Sequence, residues 1–429
     1  MKQEALIESY CSNVKFLEVN TMDEKQNIIG RRNFLKAAGV ASLSSVLASK
    51  GVMAGQNQSN AEEETRKPKY PQVPRRKLGK TGVKIPCLSL GTNRLDNQVV
   101  LKNTLQWGVS YWDTGSLYVG GNSEISIGKF LSKNPDLRKK LFISTKAMRA
   151  KTLADVEKSL ATSLKRMNIK YIDLYYGRHM LSDPAQLTDE LRQWAKNAKE
   201  RKLIRHFGIT THQNMAKVLA AAARLDWIDA ILTLYNFRLR HDAKMQDSIE
   251  ACYKAGIGLI AMKTQGLQIK TKEDKKLAEH FLQRGFTEAQ AKIKAVLQDK
   301  RFSSACVGMN KIGILKENIA AVLDKTKLSQ ADMAVLKEYA QATCSNYCTA
   351  CAHICDSALQ DTPYVSNIMR YLMYYYSYGD QAEARSLFAQ IPASVRNKLP
   401  DMDYGLAEAR CPQRLPIREL ITEAVSVLT

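Results

Sequence analysis

From residue 83 onward, short runs of β-branched and other apolar residues alternate with longer segments whose apolar positions recur at helical spacing. Eight alternations in about 240 residues favour a (β/α)8 TIM barrel over an open doubly wound sheet, which would also carry a Gly-rich turn after its first strand. The runs predict strands at Ile85–Leu90, Ser110–Asp113, Leu141–Thr145, Ile172–Tyr176, His206–Ile209, Ala230–Leu234, Gly258–Met262 and Ala305–Gly308. Helical patterns follow, among them Glu124–Leu131, Ala154–Met167, Ala185–Glu200, Asn214–Arg224, Ala243–Ala255 and Ile312–Leu323.

The pattern changes after the predicted barrel. We expect an α/β fold with the barrel at residues 76–328, followed by a small helical cysteine-rich domain at 329–429. Two further helices are predicted in that tail, over Ser366–Tyr378 and Gln381–Gln390. The chain has 429 residues, of which 45% are hydrophobic, so it can bury a large core beside a smaller one.

The N-terminal segment has the composition of an export signal. Residues 30–36 read Gly-Arg-Arg-Asn-Phe-Leu-Lys, a weakly apolar stretch follows at 37–48, and residues 52–54 offer a small-residue cleavage site. This order is similar to a bacterial twin-arginine signal. It predicts a signal peptide at 1–54, a polar linker at 55–75, and a periplasmic or otherwise exported protein. The alternative is an ordinary amphipathic helix with a chance arginine pair.

The number and distribution of charged residues indicate which classes of molecule the protein could bind. The formal net charge is +22, but the lysines and arginines are spread along helical patterns rather than interleaved with aromatic residues. We therefore expect solvated helix faces that also attract phosphate groups, and no nucleic-acid partner. No apolar stretch is long enough to span a bilayer, so no transmembrane span is expected.

Chemistry-bearing residues fall where the predicted strands end. Asp113 ends the second strand and Tyr118 follows it, Lys146 follows the third strand, and Arg178 and His179 follow the fourth. In a barrel of this kind, active sites lie at the C-terminal ends of the strands. The sequence therefore predicts that these side chains meet at one mouth of the barrel.

Short motifs also follow one another along residues 76–325. They are Arg76–Val83, Gly91-Thr92, Asp113 with Tyr118, Ser144-Thr145-Lys146, Asp173-Leu174-Tyr175, Gly208–His212, Tyr235-Asn236, Gly308-Met309 and Glu317-Asn318. In this order, they resemble the aldo-keto reductase family. Each motif alone is weak, but their order and their positions at strand ends make the resemblance strong. It implies hydride transfer between a nicotinamide cofactor and a carbonyl or alcohol substrate.

The resemblance assigns roles to the residues at the mouth. Tyr118 would be the general acid, and Lys146, held by Asp113, would lower its pKa from an ordinary value near ~10. His179 would polarise the carbonyl, but it lies one residue later than the family's usual histidine, a position that Arg178 occupies here. Either the strand end bulges by one residue, or Arg178 is the electrophile, or His179 has no role.

The same resemblance implies a cofactor site, usually for NADP. Thr210 and Thr211 would lie near the nicotinamide carboxamide and Tyr235 under its ring. Lys311 is a candidate partner for a 2′-phosphate, but an arginine is more usual at that position. The resemblance therefore leaves both NADP and NAD as candidate cofactors. Contacts at the adenosine phosphate end would come from Gly308, Lys311, Glu317 and Asn318.

Five of the nine cysteines crowd into the tail, which indicates metal or cluster chemistry. Their spacing and the Pro that follows the last one resemble a ferredoxin-type [4Fe–4S] site, with zinc or unligated thiols as alternatives. We predict one cluster, bound by Cys348, Cys351, Cys411 and either Cys344 or Cys355.

Two hypotheses of different kinds follow. The first is an exported oxidoreductase for a small carbonyl or alcohol, with sugars and cyclitols among the candidate substrates and an electron-transfer partner for the cluster. The second is a non-catalytic barrel, a binding or assembly module with a structural metal cluster. The intact set of Asp113, Tyr118 and Lys146 favours the first, and the displaced His179 favours the second.

Overall fold

The structure is a computed structural model that describes residues 68–429, apart from 96, 267–271 and 360–363. The predicted signal peptide at 1–54 and the predicted linker up to residue 67 lie outside the described residues. No helix in the described part of the chain is long and apolar enough to cross a membrane.

A closed barrel of eight parallel strands forms the body of the described chain; each strand pairs with the next barrel strand along the chain, and the last pairs with the first. This confirms the predicted TIM-type architecture. The strands are β3 (Leu88–Gly91), β4 (Tyr111–Asp113), β5 (Phe142–Lys146), β6 (Ile172–Arg178), β7 (Ile204–Thr211), β8 (Ala230–Leu234), β9 (Gly258–Met262) and β10 (Phe302–Gly308).

The barrel helices pack outside the strands, and their ends follow ordinary capping rules. Thr152, for example, forms a capping box with Asp155, and the helix that it starts buries Val156 and Leu160. The helices are Gln98–Gln106, Asn122–Lys133, Leu153–Met167, Asp189–Glu200, Met215–Ala222, Ala243–Lys254, Lys272–Gln283, Glu288–Leu297 and Ile312–Leu323.

A small hairpin precedes the first barrel strand, where the sequence predicted one continuous strand at Ile85–Leu90. Strand β2 (Lys84–Pro86) pairs antiparallel with β1 (Arg75–Lys77), and only Leu88–Gly91 joins the barrel. Pro86 has no N–H with which to continue a ladder, so the predicted strand breaks after it. Ile85 belongs to the apolar cluster inside the barrel, so the hairpin closes the end opposite the site.

The tail is helical and has its own apolar core, in which Ile368, Leu372, Phe388 and Ile421 are almost fully buried. Its longest central helix, Val365–Tyr376, agrees with the predicted Ser366–Tyr378 to within two residues. The helices of the tail are Gln330–Ala342, Ala352–Cys355, Val365–Tyr376, Gln381–Ala389, Ala393–Arg396, Gly405–Arg410 and Ile417–Leu428.

The tail packs against the end of the barrel at which the parallel strands terminate. Gln213, after β7, donates to the hydroxyl of Ser366, and the two atoms are 2.9 Å apart. Asn236, after β8, donates to the hydroxyl of Tyr347 over 2.8 Å. Arg94, after β3, forms a 3.0 Å ion pair with Asp380. We call Val365–Tyr376 the mouth helix, because it lies over the C-terminal ends of these strands.

Candidate active site at the barrel mouth

A buried ion pair lies at the centre of the barrel mouth. Lys146 Nζ is 2.6 Å from Asp113 Oδ2 and donates a second hydrogen bond to the carbonyl of Thr114, also over 2.6 Å. Ser144 donates to the other carboxylate oxygen of Asp113 over 2.6 Å. The neighbouring strands β4 and β5 supply these residues at equivalent heights, because Asp113 is in register with Ser144. The pair is therefore fixed and satisfied before any ligand binds.

Tyr118 lies beside this pair, with Lys146 Nζ 4.7 Å from the centre of its ring. Burial raises the pKa of Tyr118 to about 12, while the charge of Lys146 acts in the opposite direction. Burial also disfavours the charge on Lys146, but Asp113 and Tyr118 outweigh it and raise the pKa of the ammonium. The site thus holds a protonated phenol next to a permanent positive charge, which stabilises a phenolate when the proton leaves.

A one-residue irregularity in β6 decides which side chain after that strand faces the site. The pairing of β6 with β7 shifts between Tyr176 and Arg178, so Gly177 is the extra residue of a bulge. Arg178 then turns away, and its guanidinium approaches the carbonyl of Lys151. His179 turns inward instead. Burial, Lys146 and a further arginine lower its pKa to about 3, so the ring is neutral and can donate a hydrogen bond.

A second histidine, His212 after β7, contacts the first. The two rings meet edge to face with centroids 5.9 Å apart. Arg370 of the mouth helix lies 2.9 Å from His212 Nδ1, and His212 Nε2 lies 2.9 Å from the sulfur of Met262. A guanidinium can only donate, so Nδ1 accepts and the proton of the neutral ring is on Nε2. Burial, followed by Arg370, lowers the pKa of His212 well below its ordinary value.

The predicted nicotinamide contacts are only partly brought together. Thr210 and Thr211 are fully buried at the end of β7, and Thr210 accepts a hydrogen bond from the backbone of Met180. Tyr235 alternates to the outer face of β8, where its ring stacks on Phe302 with centroids 4.3 Å apart. The role of Tyr235 under the nicotinamide ring stays a prediction, and the orientation of its side chain toward Phe302 does not favour that role.

The predicted adenosine-phosphate residues lie around the start of the helix Ile312–Leu323. Lys311 is exposed at its N-cap, where free backbone N–H groups and the helix dipole attract phosphate. Gly308 is exposed at the end of β10, and Glu317 accepts a hydrogen bond from Thr287 over 2.8 Å. Asn318 is 3% exposed, and its side-chain nitrogen has no partner within the described residues. An unsatisfied buried donor beside a phosphate-attracting helix start fits an adenine nucleotide.

Four of the five tail cysteines line one small apolar cavity in the described part of the tail, namely Cys348, Cys351, Cys355 and Cys411. Cys344 does not line it. Burial raises the pKa of Cys348 to about 12. No group of three or more His, Cys, Asp or Glu side chains in the described chain is arranged to hold a metal ion. The donor set still has the number and type of ligands that a [4Fe–4S] cluster takes.

Fold and site together define a (β/α)8 barrel with a buried ion pair and a tyrosine at its mouth, where enzymes of this fold have their active sites. Residues 87–341 match the model of the aldo/keto reductase family, and the chain belongs to that family. Members use NADP(H), so this protein is an NAD(P)-dependent oxidoreductase that acts on carbonyl and alcohol groups.

Named relatives are similar over the barrel. L-galactose dehydrogenase of Arabidopsis thaliana is 23% identical over 295 residues, 61% of this chain and 92% of the relative. L-glyceraldehyde 3-phosphate reductase of Escherichia coli K12 is 25% identical over 333 residues, 62% of this chain and 93% of the relative. The holo form of the aldo-keto reductase AKR11C1 from Bacillus halodurans has the same fold, with a TM-score of 0.53 at 19% identity, covering 63% of this chain and 97% of that one.

Sequence reasoning missed three residues at the mouth, namely His212, Lys263 and Arg370. His212 appeared only as the end of a motif. Lys263 follows β9 and has a left-handed backbone with φ of 55°, which sequence alone does not reveal. Arg370 had a local signal, a lone charge among the apolar and aromatic residues of the mouth helix. No local pattern in the sequence indicates its contact with His212, which lies 158 positions earlier.

Proposed function

We propose that this protein reduces a small carbonyl compound, or oxidises the corresponding alcohol, with Tyr118 as the general acid or base. The observation that carries the proposal is the buried Lys146–Asp113 pair beside Tyr118, with His179 turned toward the same space by the bulge at Gly177. Bound nicotinamide supplies or accepts the hydride. Every other part of the chemistry falls to side chains of this chain.

The side chains divide the work on the substrate oxygen. As hydride reaches the carbonyl carbon, negative charge develops on oxygen, and the Tyr118 phenol gives it a proton. Lys146 then stabilises the phenolate, and Asp113 holds the ammonium in place. Neutral His179 donates a hydrogen bond to the same oxygen and stabilises the developing charge. Binding of NADP rather than NAD would use Lys311 for the 2′-phosphate and Asn318 near the adenosine.

The tail would bind one [4Fe–4S] cluster through Cys348, Cys351, Cys355 and Cys411. The support is the cavity that these four thiols share and from which Cys344 is absent. Such a cluster carries one electron at a time and would exchange electrons with an external partner protein. We further propose export by the twin-arginine route, on the strength of residues 30–54, since that route fits a protein that folds around a fragile cofactor first.

The test is NADPH oxidation by the purified full-length chain against a panel of aldehydes, ketones, sugars and cyclitols. The proposal expects turnover of at least one carbonyl, with a matching alcohol oxidised in the reverse direction. Lys146→Met should abolish both directions, because Tyr118 then loses its cation and Asp113 is left buried without one. Stoichiometric NADPH binding with no turnover of any compound would instead favour the non-catalytic barrel.

A further inference from the structure

The tail adds a positive charge to the active site from outside the barrel. Arg370, on the mouth helix, is only 8% exposed and contacts His212 Nδ1 at 2.9 Å. His212 in turn contacts His179, and the charge of Arg370 helps to lower the pKa of both rings. A short path of contacts therefore leads from Arg370 through His212 to His179, the residue assigned to the substrate carbonyl.

Some of the cations near the barrel mouth are paired with a carboxylate, and others are not. Lys146 is paired with Asp113, and Arg94 is paired with Asp380. Arg370 and Lys263 have no carboxylate partner among the described residues: the first contacts a neutral imidazole, and the second faces the rings of Tyr374 and Tyr378 at 5.1 and 5.6 Å. Burying cations without counter-charge costs free energy, and a bound anion would recover it.

Lys263 has two further features of a ligand-binding residue. Its backbone is left-handed, with φ of 55°, a strained conformation for a side chain of this size that is typical of functional loops. Burial, together with the positive charges of Arg370 and Arg94, lowers its pKa well below the ordinary range. An anion placed between Arg370 and Lys263 would reverse that shift and be held from two sides.

We propose that Arg370 and Lys263 form an anion subsite that binds a carboxylate or phosphate group carried by the substrate. This rests on the proposed carbonyl-reductase function and narrows its substrates to acidic aldehydes, ketones and alcohols. The tail is then part of the active site, because it supplies one of the two cations. The excess of positive charge on the whole chain, +22, would steer such substrates toward the mouth.

Matched substrate pairs test the subsite. The ratio of kcat/KM for 4-carboxybenzaldehyde to that for 4-nitrobenzaldehyde is measured in the wild type, Arg370→Gln, Lys263→Gln and the exposed tail control Arg385→Gln. Glyceraldehyde 3-phosphate and glyceraldehyde form a second pair for phosphate. We expect the wild type to prefer the anionic member, and the ratio to fall about 10- to 100-fold in Arg370→Gln. Lys263→Gln should lower the ratio as well, and it reports on the subsite from the barrel side even if the mouth helix tolerates no change.

Binding without turnover separates this inference from the proposed function. Calorimetric titration of the NADP⁺-saturated protein with benzoate and with benzamide should show preferred binding of benzoate, lost in Arg370→Gln. This holds even in a protein that reduces no carbonyl. An unchanged preference in folded Arg370→Gln and Lys263→Gln would overturn the subsite. Weaker NADP⁺ binding with an unchanged ratio would overturn it too, since the anion would then be a cofactor phosphate. An equal loss of the preference for the anionic ligand in Arg385→Gln would also overturn the subsite, because the preference would then come from the overall charge of the protein.

Discussion

His179 and His212 contact each other edge to face at the barrel mouth, with ring centroids 5.9 Å apart. Burial is the main cause that lowers both pKa values, to about 3 for His179 and well below the ordinary value for His212. The unfolded chain protonates both rings near pH 6.5, whereas the folded protein does not. The stabilisation from the neutral rings is therefore complete above pH 6.5 and is lost as the pH falls.

This predicts acid sensitivity of a defined size. Between pH 6.5 and 5, each histidine should lower the free energy of unfolding by up to about 1.4 kcal/mol per pH unit. Urea unfolding of the wild type and of His212→Gln, measured at intervals over that range, should show a shallower pH slope in the variant. His241→Gln is the comparison, because burial lowers the pKa of this exposed histidine only to a smaller extent, and its removal should change the slope less. Equal slopes in the wild type and His212→Gln would contradict the assignment.

The bulge in β6 predicts which residue polarises the carbonyl. His179→Gln should lower kcat about 10- to 1000-fold, because a preorganised donor to the developing oxyanion is lost. Arg178→Gln should change kcat less than threefold, since Arg178 points toward the carbonyl of Lys151. Steady-state kinetics with one aldehyde compares the two. A larger loss in Arg178→Gln than in His179→Gln would reverse the assignment.

Gly177 itself should be sensitive to substitution. A Cβ there would lie 2.5 Å from Cε2 of the buried Phe207, so Gly177→Ala forces one of them to move. We expect a loss of about 1–3 kcal/mol in unfolding free energy and lower turnover, because His179 shifts with the bulge. Adding Phe207→Leu should restore part of both. If Gly177→Ala is as stable and active as the wild type, the bulge does not position His179.

The cavity in the tail predicts which cysteine completes the cluster. Cys355→Ser should lower bound iron and sulfide in anaerobically purified protein and weaken the visible absorption of the cluster. Cys344→Ser, the matched control, should keep both near the wild-type level because Cys344 lies outside the cavity. Loss of iron in Cys344→Ser and its retention in Cys355→Ser would exchange the two roles. Purification of the wild type with bound zinc instead of iron would contradict the proposal that the tail binds a [4Fe–4S] cluster.

The periodicity of the sequence predicted the barrel well, because each strand and helix carries its own local pattern. The exceptions are instructive. Ile85–Leu90 reads as one apolar strand, yet Pro86 divides it between a hairpin and the barrel. The last strand begins at Phe302 rather than Ala305, since two serines interrupt its apolar run.

The strand pattern made the candidate site predictable mainly at residues that end a strand or closely follow one. Asp113 is in register with Ser144 on the adjacent parallel strand, and Lys146, two residues further along on the same face, reaches back to it. The orientation of His179 depends on a bulge, and that bulge has no mark in the sequence beyond one glycine. Arg370 depends on how the tail folds back over the barrel, a long-range contact that no local pattern encodes.

The central claim is that Tyr118, supported by Lys146 and Asp113, exchanges the proton. Single-turnover oxidation of NADPH by an aldehyde, in the wild type and in Tyr118→Phe, tests it most directly. Tyr175→Phe is the control, because that phenol is buried outside the site and donates to the carbonyl of Val156. The account predicts a rate constant at least about a thousandfold lower in Tyr118→Phe, with NADPH affinity unchanged and Tyr175→Phe close to the wild type. A Tyr118→Phe protein that reduces the aldehyde at the wild-type rate would contradict it.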